Sequence, residues 1–376
     1  MGIFCINTNL ELATEFVDFV YRLYCSDPAW IPPFRKKQLA NLASSETLYD
    51  RKAGDSRHLL ARTNGTTLGR ISAFVNGSLQ DGDGEQVGTI GNFECVEDFA
   101  AAEDLFNRAL EWLEAKHGVN RIWAPINFDI WHGYRWMTQG FNQPRPQSEP
   151  YNKSYYPDFA ERYGFTVKKR WESIDIKGQE DIDRLSLPHE ECYQRFIRLG
   201  YRFKPVTKAS FKEEIRRIHE VLADSFSDFL GYTPITVERF QRLHAGLRYA
   251  LHDQLFCLVY DADDQLAGLS GAFLDPSEAV RRMGGRDHLL SKVRFLQQLR
   301  RSKHVLFYLT GATRETIAKR VGFGRSALFH FAQTMRAAGL DSFTIGPMLS
   351  DGVSRGLALG DAFPAHREYA LYEIQR

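Results

Sequence analysis

The chain has 376 residues, 43% hydrophobic, 13% aromatic and 25% charged, with a formal net charge of +1. This is the composition of a globular chain long enough for two domains, and it excludes a disordered or fibrous protein. Near-neutral charge gives no global attraction for nucleic acid or a membrane surface, and no apolar run reaches the length of a bilayer span.

In chain order, the first predicted element is a helix over Glu11 to Tyr24, with Leu12, Phe16, Phe19, Val20 and Leu23 on its inner stripe. Asp27 and Pro28 stop it, and AWIPPFR follows as extended chain because proline restricts itself and its predecessor. Two strands, His58 to Thr63 and Thr67 to Asn76, flank the hairpin signal Asn64-Gly65. A third strand, Val87 to Val96, leads to an amphipathic helix over Ala100 to Lys116, closed by Gly118. A strand from Arg121 to Ile126, an aromatic stretch and a final strand pair over Thr166 to Ile176 complete the first half.

The second half repeats this order. Strand Arg202 to Thr207 precedes helices over Phe211 to Leu230 and Thr236 to Leu251, and a hairpin joins Leu255–Tyr260 to Leu266–Phe273. A central strand runs from Val305 to Thr310, and a connection to Ala318 leads into a Gly-x-Gly turn at Gly322 and Gly324. The helix that follows buries Leu328, Phe331, Ala332 and Met335. Strand Ser342 to Met348, a short helix from Asp351 to Leu359 and strand His366 to Ile374 end the chain. The repeated pattern predicts two similar α/β domains, 1–185 and 186–376, each a mixed, mostly antiparallel sheet flanked by helices. One insertion, about Asp275 to Lys303, breaks the correspondence; it is markedly basic and reads either as a solvated helix or as a contact for a phosphorylated carrier.

The Gly-x-Gly turn presents backbone N–H groups at a helix N-terminus, where glycine permits close approach and the helix favours negative charge. With Lys319, Arg320 and Arg325 around it, it reads as a pyrophosphate cradle; the same residues also suit a plain glycine turn that starts a core helix. The first half has Glu97, Asp98, Glu103 and Asp104 at the corresponding place and no glycine, an arrangement that repels a diphosphate. Five cysteines without a C-x-x-C pair and histidines without ligand spacing predict reduced thiols and no metal site. The start, MGIFCI, has neither a basic leader nor a myristoylation motif, so the expectation is a soluble cytoplasmic protein.

Strand, splayed loop, [Gln/Arg]-x-x-Gly-x-Gly/Ala and helix resembles the acyl-coenzyme A motif of the GNAT N-acyltransferases, with Lys319-Arg320-Val321-Gly322-Phe323-Gly324 in that place. Lys319 stands where the family usually has Gln or Arg. VYRLYCSDPAWIPPFR, GRISAFVN, VGTIGNFECVED and the stretch APINFDIWHGYRWMTQGFNQPRPQSEPYNKSYYPDF are similar to tandem GNAT-like proteins of about this length. The resemblance implies acyl-CoA, with acetyl or longer acyl groups, held by Leu309, Thr310 and Gly311 on the central strand and by Lys319, Arg320, Gly322, Phe323, Gly324, Arg325 and Ser326. Asn127, Trp131, His132, Tyr134, Tyr151, Tyr155 and Tyr156 of the first half suit either an acceptor pocket against the second half or an interdomain core.

GNAT enzymes often use a tyrosine on the short helix after the fifth strand as general acid; here that region reads Ser350-Asp351-Gly352-Val353-Ser354-Arg355, without one. Tyr308, Tyr369, Tyr372, Ser350 and Ser354 are the substitutes, and Asp351 is the candidate base unless it is simply a helix cap. The expected activity is transfer of an acyl group to a small-molecule amine or amino acid, with an acyl carrier protein as a further partner and no nucleic acid or membrane. An aminoacyl-tRNA-dependent transferase of the Fem type and a non-catalytic CoA-binding scaffold remain the alternatives.

Overall fold

Asn64 and Gly65 both take positive φ (48° and 82°), and the turn they make joins β2 (Gly54–Thr63) to β3 (Thr66–Gln80) as the sequence predicts. This is a computed structural model that describes residues 1–7, 9–43, 54–286, 288–352, 355 and 362–376. Ahead of the hairpin come β1 (Gly2–Cys5), α1 (Leu10–Leu23) and α2 (Arg35–Ala43); after it come β4 (Gln86–Cys95), α3 (Phe99–His117), β5 (Arg121–Ala124), β6 (Trp136–Gln139), α4 (Tyr156–Tyr163) and β7 (Thr166–Lys177). A single long strand, β7, stands where a strand pair was expected. α5 (Gln179–Ser186) and α6 (Glu190–Arg198) lead to the second half.

That half holds β8 (Arg202–Pro205), α7 (Phe211–Ser225), α8 (Val237–His244), β9 (Phe256–Tyr260), β10 (Leu266–Leu274), α9 (Ser277–Met283), α10 (Leu289–Leu299), β11 (His304–Ala312), α11 (Arg314–Ala318), α12 (Phe323–Ala337), β12 (Ser342–Leu349) and β13 (Arg367–Gln375). The connection after the central strand is long because it contains α11, which Thr313 caps by accepting from the Thr316 N–H. Most of the short helix expected over Asp351 to Leu359, Ser354 included, lies outside the described residues.

Thirteen strands among the described residues form one sheet, ordered β1-β2-β3-β4-β5-β13-β7-β12-β11-β10-β9-β8, with β6 on β13. The two halves therefore exchange their last strands. β13, from the end of the chain, pairs with β5 of the first half (Tyr372 opposite Ala124), while β7 pairs with β12 of the second (Ile176 opposite Phe343). Each exchanged strand completes the other half's core: Ala370 and Tyr372 pack with Leu105, Phe106 and Leu110 of α3, and Ile174 and Ile176 pack with Phe331 and Met335 of α12. Between β13 and β7 the join is held by charge as well. Fully buried Arg367 reaches Glu149 at 2.6 Å and Asp175 at 2.7 Å, and Tyr369 donates to the same Glu149 carboxylate at 2.5 Å.

Among the described residues the only parallel pairings are β4 with β5 and β11 with β12, one in each half. Both are brief. β4 and β5 pair at Gly88–Ile122 and Thr89–Trp123; β11 and β12 pair from His304–Ser342 to Phe307–Ile345. Beyond those points Pro125 and Pro347 follow β5 and lie within β12 respectively, and the strands part.

Candidate active site

In the second half the gap is open. Past Phe307, β11 keeps a strand on one side only, running from Leu309 opposite Gly271 to Ala312 opposite Gly268 on β10. The register slips between Gly271 and Ala272, which leaves Tyr308 as the extra residue of a bulge, a feature that re-aims side chains and frees backbone groups. Thr310 Oγ1 is buried with no hydrogen-bond partner among the described residues.

A cavity of about 580 Å³ starts at this strand edge, lined by Thr310, Gly311 and Ala312, and extends to the start of α12. Arg320 (φ 49°) and Gly322 (φ 79°) turn the chain there. Gly322 has to be glycine twice over, because a Cβ at that φ would also come within 2.3 Å of Cys192 Sγ on α6. As N-cap it supplies no side-chain acceptor, so the first N–H groups of α12 are left for another partner. A Cβ on Gly324 would meet nothing within 4 Å, so that position opens onto free space. Arg195, Arg320 and Arg325 line the cavity, and none pairs with a carboxylate among the described residues. A helix end without its own cap and three uncompensated guanidiniums together suit a phosphorylated ligand.

On the other side of Tyr308 lies an apolar cavity of about 210 Å³. α7 and α8 supply Ile215, Ile218, Leu222 and Phe240, the sheet supplies Phe256 and Phe273, and Trp131, Tyr134 and Arg135 close it from the first half. Trp131 is fixed by its indole N–H, which donates to the Thr233 carbonyl at 2.9 Å. Tyr308 is 44% exposed and lines this cavity. Desolvation by the surrounding side chains raises its pKa above that of a free phenol.

The first half has the same parting of strands, but its own residues fill it. Asp98 caps α3 by accepting from the Ala100 N–H at 3.0 Å, so a carboxylate sits where the second half leaves a helix end open. Asn127 Oδ1 accepts the Asn92 backbone N–H at 2.8 Å, occupying the strand edge of β4. What remains is a polar pocket of about 260 Å³ between Asn92, Glu94, Asn127, Arg135, Tyr151 and Asn152. Burial raises the Glu94 carboxyl pKa, against the lowering effect of Arg70 and of the Tyr24 and Tyr156 hydroxyls, which donate to it at 2.8 and 2.9 Å.

Arg135 lines both the polar pocket and the apolar cavity. It takes φ 76°, and its guanidinium lies 3.9 Å from the Tyr134 ring centroid and 4.8 Å from that of Trp171. The Tyr134 hydroxyl accepts from Nη2, while Nε and Nη1 are buried without a hydrogen-bond partner among the described residues, and no carboxylate there balances the charge. A half-buried cation with so little compensation is costly unless something else meets it.

The other residues singled out in the sequence are distributed as follows. Gly322, Phe323, Gly324 and Arg325 line the cradle cavity with Thr310, Gly311 and Arg320, whereas Leu309 faces the apolar side. Lys319 turns away, to Glu315 at 2.7 Å and Asp261 at 3.6 Å, and Ser326 is buried, donating to the Gly322 carbonyl at 3.0 Å. Tyr369 is sealed against Glu149, Tyr372 donates to Glu161 at 3.2 Å, and Asp351 is exposed with Lys169 at 3.0 Å. Of Tyr308, Asp351 and Tyr369, only Tyr308 lines one of these cavities. Tyr151 lines the polar pocket and hydrogen-bonds Asp27, while Tyr155 and Tyr156 are held in the core at the Cys95 carbonyl and Glu94. Sequence reasoning passed over Arg135 and Glu94. The signal was a lone charge within an apolar run in each case, FEC and YRW.

Two half-sheets, each with one parallel pair that parts beside a bulged strand, joined by exchanged terminal strands, make this a tandem GNAT-like fold. A tandem GNAT protein from the clavulanic acid biosynthesis pathway superposes on it with a TM-score of 0.54 at 13% identity, covering 100% of this chain and 98% of the other. No family model matches the chain. Among curated sequences it is 24% identical over 288 residues to a bacterial ceramide synthase of Caulobacter vibrioides, covering 76% of this chain and 73% of that one. It is 23% identical over 246 residues to the protein YghO of Escherichia coli K12, covering 65% of this chain and 61% of YghO. No helix among the described residues is long and apolar enough to cross a membrane.

Proposed function

We propose that the protein is a CoA-dependent N-acyltransferase in which residues 186–376 hold the acyl-CoA and residues 1–185 build the acceptor site. The observation that carries this reading is the contrast between the two gaps: an uncapped helix end with three unpaired arginines beside a bulged strand edge in one half, and Asp98 with Asn127 filling the same places in the other. The diphosphate would sit on the N–H groups of α12 with Arg195, Arg320 and Arg325 around it, and the pantetheine would run along the free edge of β11. The thioester supplies an activated acyl carbon. A backbone N–H released by the bulge at Tyr308 would polarise its carbonyl, and holding donor and amine together supplies much of the rate.

The apolar cavity beside Tyr308 favours a long acyl chain over acetyl, and the Caulobacter relative's name points the same way, since ceramides are fatty amides of long-chain amino alcohols. Arg135, at the boundary between the apolar cavity and the polar pocket, would take an oxygen function beside the reacting amine, as found in an amino acid or an amino alcohol. Free cysteines throughout accord with a reducing, cytoplasmic setting.

The test is thiol release from acetyl- and long-chain acyl-CoA across a panel of amines. Long-chain acyl-CoA with an oxygen-bearing amine should turn over; CoA binding without turnover anywhere in the panel would instead describe a scaffold. In Tyr308→Phe, loss of the proton donor to the departing thiolate should lower kcat by about 10²-fold with acyl-CoA binding unchanged. Arg135→Gln should raise KM for the acceptor by about tenfold or more and leave the KM for acyl-CoA alone. An unchanged acceptor KM would remove Arg135 from the site.

A further inference from the structure

The basic insertion of the second half contains α10, and this helix shows its apolar residues to solvent. Leu289 is 78% exposed, Leu290 65%, Val293 46% and Leu296 39%, more large apolar exposure than any other helix among the described residues carries. At 100° per residue the four fall within an arc of roughly 120°, a stripe interrupted by Gln297 alone. The opposite side is the one that packs: Ser291 and Leu299 are buried, and Phe295 joins the cluster of Phe211, Phe256 and Phe273. The stripe is therefore not a core face left uncovered by accident of orientation. It is a second apolar face on a helix that already has one.

Charge accompanies it. Lys292 and Arg294 project from the two margins of the stripe, and between 281 and 303 the chain has eight Lys or Arg against one acid, Asp287. α10 itself, LLSKVRFLQQL, contains no Asp or Glu. An apolar stripe edged on both sides by long cationic side chains matches the depth profile of a bilayer surface, with hydrocarbon at the centre and anionic headgroups beside it. A nucleic acid would use the cations and leave the leucines in water.

We propose that α10 docks the protein on an anionic membrane surface, its leucine stripe inserted at the headgroup boundary and its cations on the lipid phosphates. The cluster on which α10 rests also lines the apolar cavity, so docking sets that cavity close to the bilayer. The chain stays peripheral; one helix of 11 residues is too short to span. Near-neutral net charge conceals this surface because acids elsewhere in the chain offset the eight cations of the insertion.

Vesicle sedimentation of the full chain tests the proposal, using phosphatidylcholine vesicles with and without phosphatidylglycerol. The protein should pellet with the anionic vesicles, weakly with neutral ones, and less as salt rises. Leu290→Glu with Val293→Glu, at exposed positions, should keep the melting temperature and weaken anionic-vesicle binding by about tenfold or more. Arg294→Glu with Arg301→Glu should weaken binding to anionic vesicles and leave the residual binding to neutral ones unchanged. Wild-type protein that stays in the supernatant with both vesicles would overturn the proposal. So would a leucine double variant that pellets like wild type, or sedimentation velocity showing that the stripe holds two copies of the chain together and that vesicles do not compete. The readout is independent of turnover, so its failure leaves the enzymatic reading intact.

Discussion

Gly324→Asp is expected to abolish acyl-CoA binding in a protein that still folds. The position is the second residue of α12, its Cβ would meet nothing within 4 Å, and its φ is not in the left-handed region. An aspartate in a first helical turn is favourable to the free protein, because it meets the positive end of the helix dipole. That same charge would stand a few ångströms from the diphosphate. At an effective dielectric of about 20, a like charge at about 4 Å costs about 4 kcal/mol, a loss of about 10³-fold in affinity from one contact alone. The matched control is Ala100→Asp, at the second residue of α3 and exposed, in the half that Asp98 already caps. It should bind acyl-CoA as wild type does. Isothermal titration of both variants with the same acyl-CoA decides the matter, with thermal melts to confirm folding; equal losses would remove the distinction between the halves.

The second large effect concerns the join between the exchanged strands. Arg367→Met should destabilise the protein by about 3–5 kcal/mol at neutral pH, read as a fall in the urea midpoint. Arg367 is fully buried between Glu149 and Asp175, whose side chains are 1% and 6% exposed. Removing the guanidinium leaves two desolvated carboxylates facing each other at the seam between β13 and β7. Burial alone would raise the Asp175 pKa; the hydrogen bonds and charge of Arg367 outweigh it and hold the carboxyl below its ordinary range.

The sign of the pH dependence follows. In the wild type a depressed carboxyl contributes stability above its unfolded pKa and loses it as pH falls through the folded one. In the variant Asp175 keeps the burial that raises its pKa and loses the Arg367 partner that lowers it, so the deficit relative to wild type should shrink as pH falls toward about 4. Adding Glu149→Gln and Asp175→Asn to Arg367→Met should recover most of the loss at neutral pH. A deficit that is flat with pH and not rescued would mean that packing, and not charge, holds the seam.

Local structure was legible wherever neighbours in sequence decide it. Asn64-Gly65 announced its hairpin, the amphipathic pattern closed by Gly118 announced α3, and Gly322 marked the start of α12. The acidic first-half helix end was legible too, because a cap acts within three residues of itself. The exchange of β7 and β13 was not. Which strand a segment pairs with is fixed by partners far away in sequence, 250 residues for Trp123 and Glu373, and either arrangement buries the same alternating residues.

Side-chain direction was equally hidden. Lys319 and Arg320 read alike as cradle cations, but Arg320 takes φ 49° and lines the cavity while Lys319 pairs with Glu315 one helical turn back. The apolar cavity escaped notice because Ile215, Ile218 and Leu222 have the spacing of any core face. The leucine stripe of α10 was masked by the charges around it.

A structure of the protein with a long-chain acyl-CoA analogue whose thioester sulfur is replaced by a methylene tests the central claim most directly. The diphosphate should lie on the Gly322–Gly324 N–H groups with Arg320 and Arg325 against it, the acyl chain in the cavity beside Tyr308, and no ligand at Asp98. A diphosphate lodged at the first-half helix end, or a cradle left empty at saturating ligand, would contradict it.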